Sequence, residues 1–200
     1  MRGKKIVPHR RRREMRTDYR QRLALLKSGL PRVVIRKSNR NVTCQVIEYS
    51  MTGDRCVTYS DSKELKKFDW KAPGGNLPAA YLTGLLCGLR AKHNGVEECV
   101  ADMGLQISTK GSVIYACLKG FIEGGVPVSH SAEILPDDER AKGGHIAAYA
   151  EWLKRESASQ YKSRFSAYLK GGVDPETLPE HFEAVKKKIL GSKVDKLAEE

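Results

Sequence analysis

Apolar positions along the chain change their period several times. Between Arg32 and Ser60 they come in short β-branched runs, "RVVIRKS", "NVTCQVIEY" and "DRCVTYS", divided at Asn39-Arg40 and at Gly53-Asp54. Runs of this kind, punctuated by turn residues, predict three antiparallel strands in a meander. Such a sheet needs a covering layer. After "KAPGG" the pattern becomes helical in "NLPAAYLTGLLCGLRAKHNG", where Leu82, Leu85, Leu86 and Leu89 share one broad face. Asn76 is placed to cap this helix, Pro78 falls in its first turn and Gly95 follows its end. Gly84 and Gly88 predict that another element comes close.

Further along, "EECVADMGL" reads as a short apolar strand and "GSVIYACLKGFIEGG" as a second helix, with Val113, Ala116, Cys117 and Phe121 on one side. "VPVSH" then predicts a short parallel edge strand. The fold class is therefore α/β, a mixed sheet whose antiparallel meander continues into parallel strands through right-handed crossovers, with packed helices. That element order is also the order of ribonuclease H-type folds. Two more helices are predicted in "PDDERAKGGHIAAYAEWLKRE" and "DPETLPEHFEAVKKKILG". The first starts at Pro136, Asp137 and Asp138; the second starts at Asp174-Pro175, carries the stripe Leu178, Phe182, Val185 and Ile189, and places Lys186 to Lys188 at its C-terminus.

At the other end, residues 1–15 are almost devoid of apolar side chains and read as an arm that orders only against a partner. A short helix begins at "RTDY", with Thr17 or Asp18 as its cap, and ends at Gly29 before Pro31. Its Tyr19, Leu23 and Leu26 are spaced to anchor on the core, leaving Arg16, Arg20 and Lys27 outward. The organisation is thus an arm over 1–15, an α/β core over 16–135 and a helical extension over 136–200.

Charge changes this picture from a scaffold to a binding protein. The chain has 200 residues, 40% of them hydrophobic, with a formal charge of +12 and a pI near 9.5. Residues 1–40 hold fifteen Lys and Arg against Glu14 and Asp18, and the remaining 160 residues sum to −1. An excess confined to one end predicts a polyanion met there, nucleic acid first. No apolar run approaches the ~20 residues of a membrane span. The arginine block runs into "EMRTDYRQR" rather than the apolar stretch of a secretory signal, so the expected location is cytoplasmic, without membrane contact. A nuclear address, a mitochondrial presequence or a solubilising tail would use a similar block, but here positive charge continues through Arg32, Arg36, Lys37 and Arg40 into folded chain.

Candidate chemistry is sparse. Cys44, Cys56, Cys87, Cys99 and Cys117 form no C-x-x-C pair, lie in apolar stretches and read as reduced and buried. The five histidines lack metal-ligand spacing, so no metal or other cofactor is expected. Asp102 stands where a ribonuclease H-type fold keeps a catalytic carboxylate, yet two-metal hydrolysis needs several converging acids. Asp102 therefore reads as a strand-end cap or turn residue. No phosphate-binding loop or nucleophile elbow is present, and neither an enzyme activity nor a small-molecule substrate is expected. Arginine, by contrast, clamps phosphate bidentately and stacks on bases. Arg10, Arg11, Arg12, Arg13, Arg16, Arg20 and Arg22, with Tyr19 among them, suit a folded RNA. The turn "RKSNRN" adds Arg36, Lys37 and Arg40 beside Ser38, Asn39 and Asn41.

Four blocks, "RRRREMRTDYRQRLALLKSGLPRVVIRKSNRNV", "GNLPAAYLTGLLCGLRAKHNGVEE", "ADMGL" and "GSVIYACLKGFIEGGVPVSHS", resemble the archaeal type of large-subunit ribosomal protein eighteen, over about residues 8 to 155. The resemblance implies a non-catalytic protein that attaches 5S rRNA to the large subunit at the central protuberance, touching 23S rRNA and neighbouring ribosomal proteins. It implies a ribonuclease H-related core without the catalytic carboxylates. It also implies RNA contact at Arg10 to Arg13, Arg16, Thr17, Tyr19, Arg20, Arg22, Arg32, Arg36, Lys37, Ser38, Asn39 and Arg40. The third strand departs from the family pattern, and from about Ser157 the similarity fades except at "LPEHFE". Two rival readings are a metal-dependent nuclease built on Asp102 and a basic adaptor that uses the arm only for targeting.

Overall fold

A four-stranded sheet in the order β3-β2-β1-β4 organises the protein, whose computed structural model describes residues 7–192. The first six residues of the arm and the last eight of the C-terminal extension lie outside the described residues. Before the sheet come α1 (Arg10–Arg13) and α2 (Tyr19–Leu26). Then β1 (Arg32–Lys37), β2 (Val42–Glu48) and β3 (Arg55–Asp61) form the predicted meander, with Val33 opposite Val46 and Gln45 opposite Tyr59. After α3 (Leu77–His93), β4 (Val100–Asp102) joins parallel to β1, with Val34 beside Asp102. The sheet is thus mixed, and its order is compatible with the ribonuclease H topology.

One expected strand is missing. "VPVSH" contributes a single parallel bridge, Cys99 to Val128, because Pro127 can accept from the Cys99 N–H at 3.2 Å but has no N–H of its own to extend a ladder. Cys56 is a second correction. It is exposed, while the other four cysteines are buried. The register shifts between Val46 and Ile47, beside the Ile47–Cys56 pair, and this irregularity breaks the inward alternation of β3.

One face of the sheet is covered by α3 and α4 (Val113–Glu123). Val33, Ile35, Val42, Cys44 and Val46 point into this layer and meet Leu82, Leu85, Leu86 and Phe121, all buried. Asn76 caps α3 as predicted, its Oδ1 accepting from the Ala79 N–H at 2.9 Å. The two helices touch backbone to backbone: a Cβ on Gly84 would overlap the Cys117 carbonyl oxygen, and one on Gly120 would overlap that of Tyr81. Gly88 and Gly124 meet in the same seam.

The C-terminal region packs onto the same core. The predicted helix from Pro136 is in fact two, α5 (Asp138–Lys142) and α6 (Gly144–Glu156), because Gly143 takes a left-handed φ of 95°. α7 (Ala158–Arg164) and α8 (Ser166–Gly171) follow, then α9 (Leu178–Gly191). Leu178, Phe182, Val185 and Ile189 are all buried, and the Phe182 ring meets Tyr81 of α3 edge-on at 5.3 Å.

The largest departure from the hydrophobic pattern is α2. Tyr19 and Leu23 are 39% and 57% exposed and no residue of the helix is fully buried. The side turned to the sheet is that of Arg22 and Leu25, because the sheet's open face offers carboxylates there.

Candidate nucleic-acid interface

The arm folds back on itself next to the open face. Four consecutive arginines form α1 and fan out around its axis, all exposed. Met15, at φ 50°, turns the chain, so that the Arg16 N–H donates to the Arg11 carbonyl at 2.9 Å. Arg11 Nε donates to Thr17 Oγ1 at 2.9 Å, and Glu14 holds Arg16 at 3.4 Å. Asp18 caps α2, accepting from the Arg20 and Gln21 N–H groups at 2.8 and 3.2 Å. Arg12, Arg13 and Arg20 form no ion pair among the described residues, and they are exposed.

Beneath the arm lies a cleft of about 360 Å³, lined by Arg11, Arg16, Arg22, Arg32 and Arg36 together with Asp18, Asp54 and Asp102. Its floor is a chain of alternating charges. Asp54 Oδ2 accepts from Arg22 and from Arg32, both at 2.8 Å. Arg32 Nη1 donates to Asp102 Oδ2 at 2.8 Å, and Arg36 Nη2 to Asp102 Oδ1 at 2.8 Å. The remaining Arg36 Nη1 donates to the carbonyls of Ile35 and Asp102. Pinned by three hydrogen bonds, the Arg36 guanidinium has a fixed plane while its side chain stays 42% exposed.

Asp102 sits at the centre of this chain. Burial pushes its carboxyl up, but Arg36 by hydrogen bond and charge, the Gly104 N–H at 2.9 Å and Arg32 together outweigh that and hold it below the ordinary carboxylate range. The Gly104 bond is the turn role read from the sequence; the two arginine pairs are additional. Its Oδ1 accepts from Arg36 and Gly104 and its Oδ2 from Arg32, and no cluster of three His, Cys, Asp or Glu among the described residues could hold a metal ion.

The fifteen residues expected to touch RNA therefore fall into four settings. Arg11, Arg16, Thr17, Arg22, Arg32 and Arg36 line the cleft. Arg12, Thr17, Tyr19 and Arg20 line a shallower depression beside it with Leu105. Lys37, Ser38, Asn39 and Arg40 are exposed on the β1–β2 turn, closed by the Ser38 N–H to the Asn41 carbonyl at 2.8 Å. Gln106 Nε2 donates to the Lys37 carbonyl at 3.1 Å and links that turn to the rim of the cleft. Arg10 and Arg13 stand on the outer side of α1 and line neither hollow. Arg32 differs from all the others: it is 4% exposed and its Nη atoms are spent on Asp54 and Asp102. The structure places it as a strut under the surface.

Asp54 and Gln106 were missed by sequence reasoning. Gly53-Asp54 had a sufficient explanation as a turn, and the only hint of more was a carboxylate beside a strand that begins with arginine.

Residues 4–98, from the arm to just before β4, match the family model described as ribosomal large subunit proteins 60S L5 and 50S L18. The chain is 52% identical over 190 residues to the large ribosomal subunit protein uL18 of Methanococcus maripaludis, an alignment that covers 95% of this chain and 98% of the relative. Identity at that level over nearly the whole length of both chains shows that the chain belongs to the uL18 family of large ribosomal subunit proteins, with a structural role in the ribosome.

Proposed function

We propose that this protein binds 5S rRNA and attaches it to the large subunit at the central protuberance, with further contacts to 23S rRNA and to adjacent ribosomal proteins. The observation that carries the proposal is the pairing of loose and fixed arginines at one end of the molecule. Arg12 and Arg13 on the arm and Arg20 on α2 are exposed and form no ion pair among the described residues, beside a sheet face where Asp54 holds Arg22 and Asp102 holds Arg36. Loose cations supply affinity for any phosphate chain, and fixed guanidinium planes supply geometry that only a correctly folded RNA matches. In this scheme the arm over 1–15 and the α/β core over 16–135 hold RNA, and the helices over 136–200 meet neighbours on the subunit. Lys37, Ser38, Asn39 and Arg40 extend the RNA-contacting edge beyond the cleft, Thr17 holds Arg11 at its rim, Tyr19 offers a ring for stacking, and Arg32 acts through Arg22 and Arg36.

The test is replacement of Arg10 to Arg13 by alanine, with affinity for 5S rRNA measured over a salt series. About eight phosphate contacts give a slope of log K against log salt near −6, and losing four arginines makes it shallower by about 3. An unchanged slope would remove the arm from the interface.

A further inference from the structure

α6 reverses the usual distribution of side chains. Its inward positions carry Ala147, Ala150 and Leu153, all buried, whereas its largest rings, Tyr149 and Trp152, are 44% and 55% exposed. The two rings stack with centroids 5.7 Å apart and planes 25° apart. Tyr149 in turn leans on the buried Phe165 at 6.0 Å, and Phe165 packs against Tyr161 and Tyr168. Trp152 is thus the outermost ring of an aromatic stack that begins inside the protein. Core packing does not require it there, and a large exposed ring is the informative case. Braced on one side by Tyr149 and open on the other, it is pre-organised for a flat ligand.

The charge of the chain segment that carries and follows it indicates which ligand. Residues 151–170 hold five Lys and Arg against Glu151 and Glu156, in a chain that from residue 41 onward sums to −1. Lys154 is tied to Glu176 at 2.9 Å. Arg155, Lys162, Arg164 and Lys170 are exposed and form no ion pair among the described residues. An apolar pocket of a partner protein would accept the rings but would give these cations nothing; RNA satisfies both. We infer that Tyr149 and Trp152 form a second RNA contact, on which an unpaired base stacks while Arg155, Lys162, Arg164 and Lys170 meet the flanking phosphates. This contact is independent of the arm and of the identity of the RNA bound there.

The test uses the full chain and an unstructured single-stranded RNA of about ten nucleotides, within the length such platforms track. The chain has two tryptophans, and Trp70 is buried at 3% exposure, so ring stacking by RNA registers in Trp152. The inference predicts saturable quenching of tryptophan emission that disappears in Trp152→Phe while RNA affinity is nearly kept. Trp152→Ala combined with Tyr149→Ala should weaken binding by about fivefold to a hundredfold, the range for loss of one stacked base. The Arg10 to Arg13 alanine variant should lose arm-dependent affinity yet retain the quenching, which separates failure of this contact from failure of the 5S rRNA proposal. RNA binding with no change in Trp152 emission would overturn the inference and leave a protein as the occupant of this face.

Discussion

At Asp102 two opposed effects meet. Taking a carboxylate out of water is costly, and this one is buried at 7% exposure, yet it lies between two guanidinium groups and a backbone N–H. Removing it leaves the buried Arg32 with Asp54 as its remaining carboxylate partner, so Asp102→Ala should lose up to about 3–5 kcal/mol in urea unfolding. Because its folded pKa lies below the ordinary value, the stability it contributes is fully present above about pH 4 and is lost as pH falls through the folded pKa. The gap in stability between wild type and Asp102→Asn should therefore narrow below about pH 4 and stay constant above it. A gap that persists into strong acid would mean that Asp102 acts by packing. Sequence reading placed Asp102 at a strand end and saw its turn role, since the Gly104 N–H is two residues away. It could not see Arg32, 70 residues distant, because an ion pair leaves no periodicity in a chain.

Elements whose identity depends on local periodicity were legible; those that depend on what they pack against were not. The meander, the capped α3 and the apolar stripe of α9 follow from branched runs, an Asn cap and a Leu–Phe–Val–Ile spacing. The face of α2 did not follow, because Asp54 holds Arg22 there and overrides the Tyr19–Leu23 stripe. α7 and α8 were not anticipated, and the break at Gly143 was hidden inside an otherwise continuous helical pattern. Gly84 and Gly88 did announce a close approach, but Gly120 and Gly124 on the facing helix, which complete the seam, gave no separate signal. This seam makes a sharp prediction. Gly84→Ala places a methyl on the Cys117 carbonyl, forces α3 and α4 apart, and should cost about 1–3 kcal/mol or more, read as a lowered thermal midpoint. Ala at Gly95, which has open space around it, carries only the strain of its positive φ and should cost less.

Over the whole molecule, charge and core are segregated. All the net positive charge lies ahead of residue 41, while the apolar core runs from β1 through α9 as one body. The near-neutral body, unlike the arm, was legible only as a fold, since composition does not say which surfaces meet neighbours. Neutralising Asp54 should test how the two parts are joined. Asp54→Asn weakens the tie from α2 to the sheet, and it should lower RNA affinity with a smaller effect on unfolding than Asp102→Ala, because Arg22 is partly solvated and Asp102 still holds Arg32. The most direct measurement of the account is a competition at physiological salt between 5S rRNA and an unrelated structured RNA of equal length for the purified full chain. Strong preference for 5S rRNA is expected, lost when Arg10 to Arg13 and Arg36 are replaced together. Equal affinity for both RNAs would contradict it and reduce the arginines to a generic grip on polyanions.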